Sequence, residues 1–566
     1  MEKTYLISNR IKCICIMFLL GISILFWVIT PIGVDMEFHI LRIGELGREM
    51  ARHSAFPIYI FRDVYSHYGY PIPIFYGCIF LYPAAFLHMI GLSALSAYKI
   101  TVIFVLMFAF LSAYGCLKIY TQDYQLAFLG AFLYTISPFF LNELFVRASL
   151  GAALVYVFIP IVLLGYIQIV TDRKRLLGIF ALGGGMAGVI SSHVISTVLI
   201  VIALFIMFLT GLRHINNIWR AIKLIFLSVI VCLMLTAWYL LPMAEQFAVG
   251  TYKAPTANTL WITTENPISM LIPMHLFMVI KPLFHLSIPV SEIGGAVVPM
   301  IIITLYLVIT GKIRDINRTE RTLLILYYVL TICLFIPFIW NWLDRVLSFM
   351  QFSWRIFLII SVIGVIFLIL MLRDDGNGYL TRIELVVSIF SAVYILIFFF
   401  GYFGIRTFVP GLAERVIGHN IPEYTYVSET TDNLYIPVEM DEKTLSDRPR
   451  EVYTDEVGQT VSYTYTVNED AGSVIIDIES NAAESEVVFT CPFIMYKGYT
   501  ARSVKNSVSD DTDTYDVSGS ADGFVNVTVP AGTTGRIEVA YTGTILQRIS
   551  FVIRYSLFSV SACPIL

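Results

Sequence analysis

Apolar residues fall in blocks of about twenty over most of this chain, and toward the C-terminal end they give way to alternation with polar neighbours. A helix needs about 20 apolar residues to cross a hydrocarbon core. Blocks near this length are Ile11 to Pro31, Ser96 to Lys118, Tyr124 to Asn142, Ala148 to Val170, Leu176 to Ser191 and His193 to Leu212. They continue with Leu224 to Leu241, Ile293 to Thr310, Thr322 to Trp340, Trp354 to Leu372 and Ile383 to Phe403. Phe551 to Leu566 is weaker, because Arg548 stands just before it and Arg554 interrupts it, and it reads as a marginal or truncated last span. The expectation is a polytopic α-helical membrane protein of about 11 or 12 spans. The first block is too long for the core of a cleavable signal and reads as an anchor that stays in place.

Lysine and arginine concentrate on cytoplasmic loops. Basic clusters stand at Lys3, Arg10 and Lys12, at Arg173 to Arg175, at Arg213, Arg220 and Lys223, at Lys312 to Arg321, and at Arg373 and Arg382. Placing all five inside puts the N-terminus in the cytoplasm and makes the spans alternate from Ala148 onward. Pro71 to Leu92 is long enough to cross, but counting it would throw the Arg173 cluster outside, and Pro71, Pro73 and Pro83 break it. It therefore reads as re-entrant, and Pro267 to Leu283 reads the same way.

The first outer loop, residues 33–92, opens with a helical pattern. Met36, Ile40, Ile43 and Met50 mark one apolar face, which predicts a helix lying along the membrane surface. Asp35, His39 and Arg42 share a different stripe. From about Arg406 the period changes to two: Val461, Tyr463, Tyr465 and Val467, then Val525, Val527 and Val529, then Ile537, Val539 and Tyr541. This predicts a C-terminal extracytoplasmic β-sandwich-like domain over residues 406–545, after a transmembrane domain over 1–405 and before the last span at 546–566.

Composition strengthens the membrane reading: 57% of residues are hydrophobic and only 14% charged. The net charge of −4 gives no basic surface for nucleic acid. The cysteines are scattered, Cys491 has no partner in the β domain, and no metal-ligand spacing is present. The acidic run at Asp510, Asp511, Asp513 and Asp516 reads as a solvated loop, since it lacks EF-hand spacing.

An ionisable group at a membrane face is a functional hypothesis with a structural alternative beside it. Asp35 is a general base or the N-cap of the surface helix. Glu37 makes an acidic pair with it, which could hold a divalent cation and a phosphate, or is only a helix-start carboxylate. Arg147 could grip a phosphate through its planar fork, or snorkel to the interface. Arg355, after Trp354, is a second cation or part of an aromatic belt. His193 is a donor at the outer end of a span or a satisfied structural group.

These residues carry a resemblance. Gly33-Val34-Asp35-Met36-Glu37-Phe38-His39-Ile40-Leu41-Arg42-Ile43, at the end of a first span, resembles the opening of the GT-C superfamily of membrane glycosyltransferases. The similarity is greatest to bacterial YfhO-type membrane proteins, some of them labelled pyruvoyl-tetrahydropterin synthase-related, a label that implies no pterin chemistry. Tyr68 to Tyr76, Arg147-Ala148-Ser149-Leu150-Gly151, Ser192-His193, Phe352-Ser353-Trp354-Arg355 and Cys491 to Tyr499 resemble further landmarks of that family. The chain departs from it at Ala152-Ala153, where much of the family carries a glutamate.

The resemblance implies inverting sugar transfer, on the outer face, from a polyprenyl-phosphate sugar donor to a cell-envelope glycan or lipid acceptor. Asp35 would be the base, with His39 and Arg42 orienting it. Arg147, His193 and Arg355 would stabilise the departing phosphate, and Glu37 would help bind substrate. A divalent cation is compatible with this chemistry. The rival expectations are a transporter or flippase for lipid-linked glycans, and a non-catalytic envelope scaffold. Against the transporter stand halves that do not look alike and an acidic residue at the surface rather than the midplane.

Overall fold

A computed structural model describes residues 9–28, 33, 35–54, 56–253, 294–314, 316–347, 350, 352–371, 434–440, 445, 448–454, 460–504 and 513–552. The expected span Ile383 to Phe403, nearly all of Phe551 to Leu566, the apolar segment Pro267 to Leu283, and Asp510 and Asp511 lie outside the described residues. Contacts divide the chain into two units, each assembled from three stretches. The first is Met1–Ile40, Tyr98–Cys232 and Asn258–Glu423; the second is Leu41–Ala97, Leu233–Ala257 and Tyr424–Leu566.

Among the described residues six helices are long and apolar enough to cross a membrane, or up to eight if each of two bent pairs counts as one span. The bends fall where two expected straight spans were drawn. Tyr124–Thr135 and Pro138–Phe145 meet at 46°, and Arg318–Leu334 and Pro337–Asp344 at 79°. A proline opens the second piece of each pair. Its missing N–H and its clash with the preceding residue stop the first helix one turn short.

In the first unit the helices Leu150–Val170 and Arg175–Ser192 form a tight antiparallel hairpin. Glycine lets them close. A Cβ on Gly165 would meet the backbone nitrogen of Leu182 at 2.2 Å, and one on Gly188 would meet the Phe158 ring at 2.3 Å. Small residues at a helix contact serve the same end in lipid, where there is no hydrophobic drive between helices. The hairpin brings the start of one helix, just after Arg147, beside the end of the other at His193. The first helix, Asn9–Val28, is tied at its end by Lys99 Nζ donating to the Trp27 carbonyl at 3.1 Å and by Phe26 packing on Phe145 at 5.0 Å.

In the second unit the apolar segment Pro71 to Leu92 is cut into three short helices, Ile72–Phe75, Ile79–Leu81 and Tyr82–Met89, none long enough to span. Two of them carry proline in the first turn, where a missing N–H is harmless. Eight antiparallel strands follow: β1 (Tyr453–Thr454), β2 (Val461–Asn468), β3 (Ser473–Asn481), β4 (Val487–Ile494), β5 (Tyr499–Ser503), β6 (Thr514–Gly519), β7 (Phe524–Val529) and β8 (Gly535–Tyr541). They pair in the single order β1-β4-β7-β6-β5-β8-β3-β2, a half-barrel. The expected two-sheet sandwich is thus replaced by one continuous ladder, closed in its middle by the β5–β6 and β6–β7 pairs. Alternation alone cannot tell the two apart, since both bury every second side chain. Val525, Val527, Val529, Val474, Ile476 and Val539 supply the buried face.

The helix Met36–Ala51 forms as the periodicity predicts. Its polar stripe does not face water, however: His39, Arg42, Glu45 and Glu49 are each only 1% exposed. The helix is covered on all sides through its middle, and partners hold its charges.

Candidate functional site

Immediately before the helix Met36–Ala51 the backbone of Asp35 is pinned: its N–H donates to the carbonyl of Arg147 at 2.8 Å, and its carbonyl accepts from the N–H of His39 at 3.3 Å. Among the described residues its carboxylate bonds Arg147, with Nη2 reaching Oδ2 at 3.4 Å. The other arm of the same guanidinium, Nη1, lies 3.4 and 3.3 Å from the two carboxylate oxygens of Glu143. Arg147 thus bridges two carboxylates of different standing. The Glu143 side chain is 3% exposed and that of Asp35 32%, so the first is shut away from solvent and the second is reachable from it.

Two aromatic and cationic groups complete the cluster. The Arg147 guanidinium lies 4.4 Å from the centre of the Trp354 ring, a cation–π contact that leaves the in-plane N–H groups free for oxygen ligands. Trp354 and Arg355 sit in a short turn, Ser353–Ile356, at the head of the helix Phe357–Met371. Arg355 stands over the Phe352 ring at 5.3 Å, and its charge reaches both Glu143 and His193.

His193 occupies the joint between two helices and caps the second. Its Nδ1 accepts from the Ser196 N–H at 3.2 Å and lies 2.8 Å from the Ser196 hydroxyl. In the neutral ring this assigns the proton to Nε2, as a donor. Glu143, Arg147, His193, Trp354 and Arg355 enclose a cavity of about 20 Å³, room for a single water and no more. A sugar does not fit inside it.

His39 places its Nε2 as acceptor for the Leu150 N–H at 3.1 Å, which fixes the first turn after Arg147. Arg42 is used within the second unit. Its Nη2 donates to the carbonyls of Tyr76 and Gly77 at 3.3 and 2.6 Å, and its guanidinium lies 4.2 Å from the Tyr76 ring centre. Glu37 is exposed. Of the residues picked from sequence, Asp35, His39, Arg147, His193 and Arg355 therefore gather in one unit, while Arg42 anchors a loop in the other.

The sequence reading missed Glu143 and the role of Trp354. The signal for Glu143 was present: a carboxylate inside an apolar block, four residues before an arginine. Ala152 lines the same cavity, and the buried carboxylate beside Arg147 is that of Glu143, four residues before it. Among the described residues no group of three or more His, Cys, Asp or Glu is placed to hold a metal ion. No protein-family model matches the chain, and no curated protein matches it.

Proposed function

We propose that this chain is a membrane glycosyltransferase that moves a sugar from a polyprenyl-phosphate donor to a cell-envelope acceptor on the outer face, inverting the anomeric centre. The single observation that carries the reading is the Arg147 bridge: a half-open carboxylate at a helix end, held by a buried guanidinium through one long contact. The full topology of about 11 or 12 spans, with the N-terminus in the cytoplasm and the half-barrel outside, belongs to the same proposal.

In this reading the donor phosphate arrives with negative charge that Arg147, Arg355 and the His193 Nε2–H accept as it leaves. A phosphate at Arg147 competes with Asp35 for Nη2, and of the two carboxylates Asp35 is the one open to solvent and so the easier to displace. The released carboxylate then takes the proton of the acceptor hydroxyl as its oxygen attacks the anomeric carbon. Glu143 stays behind to keep Arg147 in place. His39 and Arg42 hold the helix that follows Asp35.

The test is sugar transfer in reconstituted vesicles, with wild type and Asp35→Asn compared over a panel of polyprenyl-phosphate sugars. Asn keeps the shape and removes the base, so a fall of at least about a hundredfold in kcat with unchanged expression is expected. Transfer by the variant at the wild-type rate would reject Asp35 as the base. Movement of lipid-linked sugar across the bilayer without transfer would replace the reading with a flippase.

A further inference from the structure

Within the second unit, residues 54–69, the loops that join the strands, and the helix 545–552 surround a second, larger cleft of about 330 Å³. That is within the size range of small-ligand sites, at its lower end. One wall is ionic. Arg62 is fully committed there: Nη1 donates to the Asp470 carbonyl at 2.5 Å, Nη2 to the Ser54 hydroxyl at 2.7 Å, and Nε faces Glu49 at 3.2 Å. Glu49 also accepts from the Ser54 hydroxyl at 2.7 Å. Arg450 donates to Glu469 at 2.7 Å and to the His67 carbonyl at 3.3 Å. Gly472 keeps this wall closed, since at φ +61° it also brings its Cα so near Arg62 that a Cβ would meet Cδ at 2.6 Å.

Aromatic rings make up much of the rest of the lining. Phe493 and Tyr499 stack at 5.4 Å with 23° between their planes, Tyr541 meets Tyr499 edge-on at 5.3 Å, and Phe56 meets Phe551 edge-on at 5.5 Å. The pairing within the ionic wall decides what kind of ligand suits the cleft. Glu49 and Arg62 pair with each other, as do Arg450 and Glu469, while Arg548, exposed to water, donates to the Thr542 carbonyl at 3.3 Å; a charged ligand entering at the paired groups would have to displace a made ion pair. The carboxylate and carbonyl lone pairs, in contrast, still accept hydrogen bonds from neutral donors. His67 stands at the same side: its Nδ1 lies 3.2 Å from Asp63 Oδ1, so with Nδ1 as the donor the other ring nitrogen, Nε2, is turned to other partners. A lining that combines aromatic rings with paired polar groups suits a ligand with one C–H face and a rim of hydroxyls.

We propose that this cleft binds a neutral saccharide of one or two rings, stacked on its aromatic lining and hydrogen-bonded to the Arg62, Glu49 and His67 side. Its identity as the acceptor end rests on the transfer proposed above; the binding itself does not. Isothermal titration of the full chain in lipid nanodiscs, free of glycoside detergent, with cellotetraose, chitotetraose and maltotetraose is the direct test. Two exposed positions serve as variants: Ala471→Trp, which fills the cleft from its edge, and His67→Ala, which removes the imidazole. We expect at least one tetrasaccharide to bind and each variant to weaken it about tenfold, with the thermal midpoint unchanged.

No saturable binding up to about 10 mM, or binding indifferent to both variants, overturns the site. Preferential binding of inorganic phosphate, run as a control probe, does the same. Transfer assays with these variants separate the two proposals. A raised acceptor KM at unchanged kcat supports the acceptor assignment, and an unchanged KM in an active enzyme overturns it. Saccharide binding in a protein that transfers nothing leaves the cleft standing and rejects the transfer reading instead.

Discussion

Removing the Glu143 charge tests whether Arg147 is held as described. The Arg147 side chain is 6% exposed and bridges Glu143 at 3.3 Å and Asp35 at 3.4 Å. At a charge separation of about 4 Å and an effective dielectric of about 20, one such pair is attractive by roughly 4 kcal/mol before desolvation is counted. Breaking one side of a buried pair leaves the other charge uncompensated, at a cost of about 3–5 kcal/mol. Glu143→Gln keeps a carbonyl for Nη1, so the low end of that range is expected. Arg147→Gln should cost a similar amount.

The two changes together should cost less than their sum, because the contact between Glu143 and Arg147 is lost once and not twice, while Arg147 keeps Asp35 in the first variant alone. A coupling of about 2–3 kcal/mol is expected, against at most about 0.5 kcal/mol for independent sites. Equilibrium unfolding of the single and double variants, by titration of the membrane-reconstituted protein with SDS, closes the cycle. Additive losses would refute the bridge as a coupled unit. So would a stabilising Glu143→Gln, which would mean that Arg147 prefers Asp35 alone.

Two further outcomes follow from other parts of the chain. Burial pushes the Glu45 carboxyl from 4.5 up to about 7, with Arg48 opposing and Asp63 and Glu49 adding to the rise. The folded protein then holds a proton that the unfolded chain releases between these values, so stability is lost as pH rises from 4.5 to 7, by ~3 kcal/mol in all. Glu45→Gln should abolish that part of the pH profile and unfold later than wild type at pH about 8 in thermal melts; parallel profiles would reject it. A leucine at Gly188 must displace the Phe158 ring, which an added Cβ would meet at 2.3 Å. The expected loss is about 3 kcal/mol, at the upper end for overpacking, and it should carry lost transfer with it because His193 lies five residues on. A normal melt with normal activity would show the hairpin to be looser than described.

The parts that were legible in the sequence were those set by local period and local chemistry. Alternation over Val525, Val527 and Val529 gave a strand with those three side chains fully buried. Met36, Ile40 and Ile43 gave a helix at the expected place. What escaped was whatever depends on partners far away in the chain. Asp35 and Arg147 are 112 residues apart, so each could be suspected but their pairing could not. The same holds for the surface helix: the polar stripe of Arg42, Glu45 and Glu49 looks solvent-facing until Arg48, Arg52, Arg62 and the carbonyls of Tyr76 and Gly77 are known to cover it. The half-barrel was read as a sandwich because strand order is a long-range property.

The second unit is stitched from three separated stretches of chain, and this has a consequence for how the protein is made. The Tyr68 hydroxyl donates to the Arg448 carbonyl, a partner 380 residues downstream, and the Gln246 side chain to the Lys497 carbonyl, 251 residues downstream. At a synthesis rate of about 5–20 residues per second, Tyr68 waits roughly 20 to 80 s for its partner to leave the ribosome. During that interval the arginines and glutamates of residues 45–62 are without the strands that come later, while the intervening apolar helices are being made. Biogenesis therefore favours either a chaperone that shelters this early segment or a provisional packing that the last strands displace. A ribosome stalled before residue 448 should leave residues 56–69 open to protease, and release should close them.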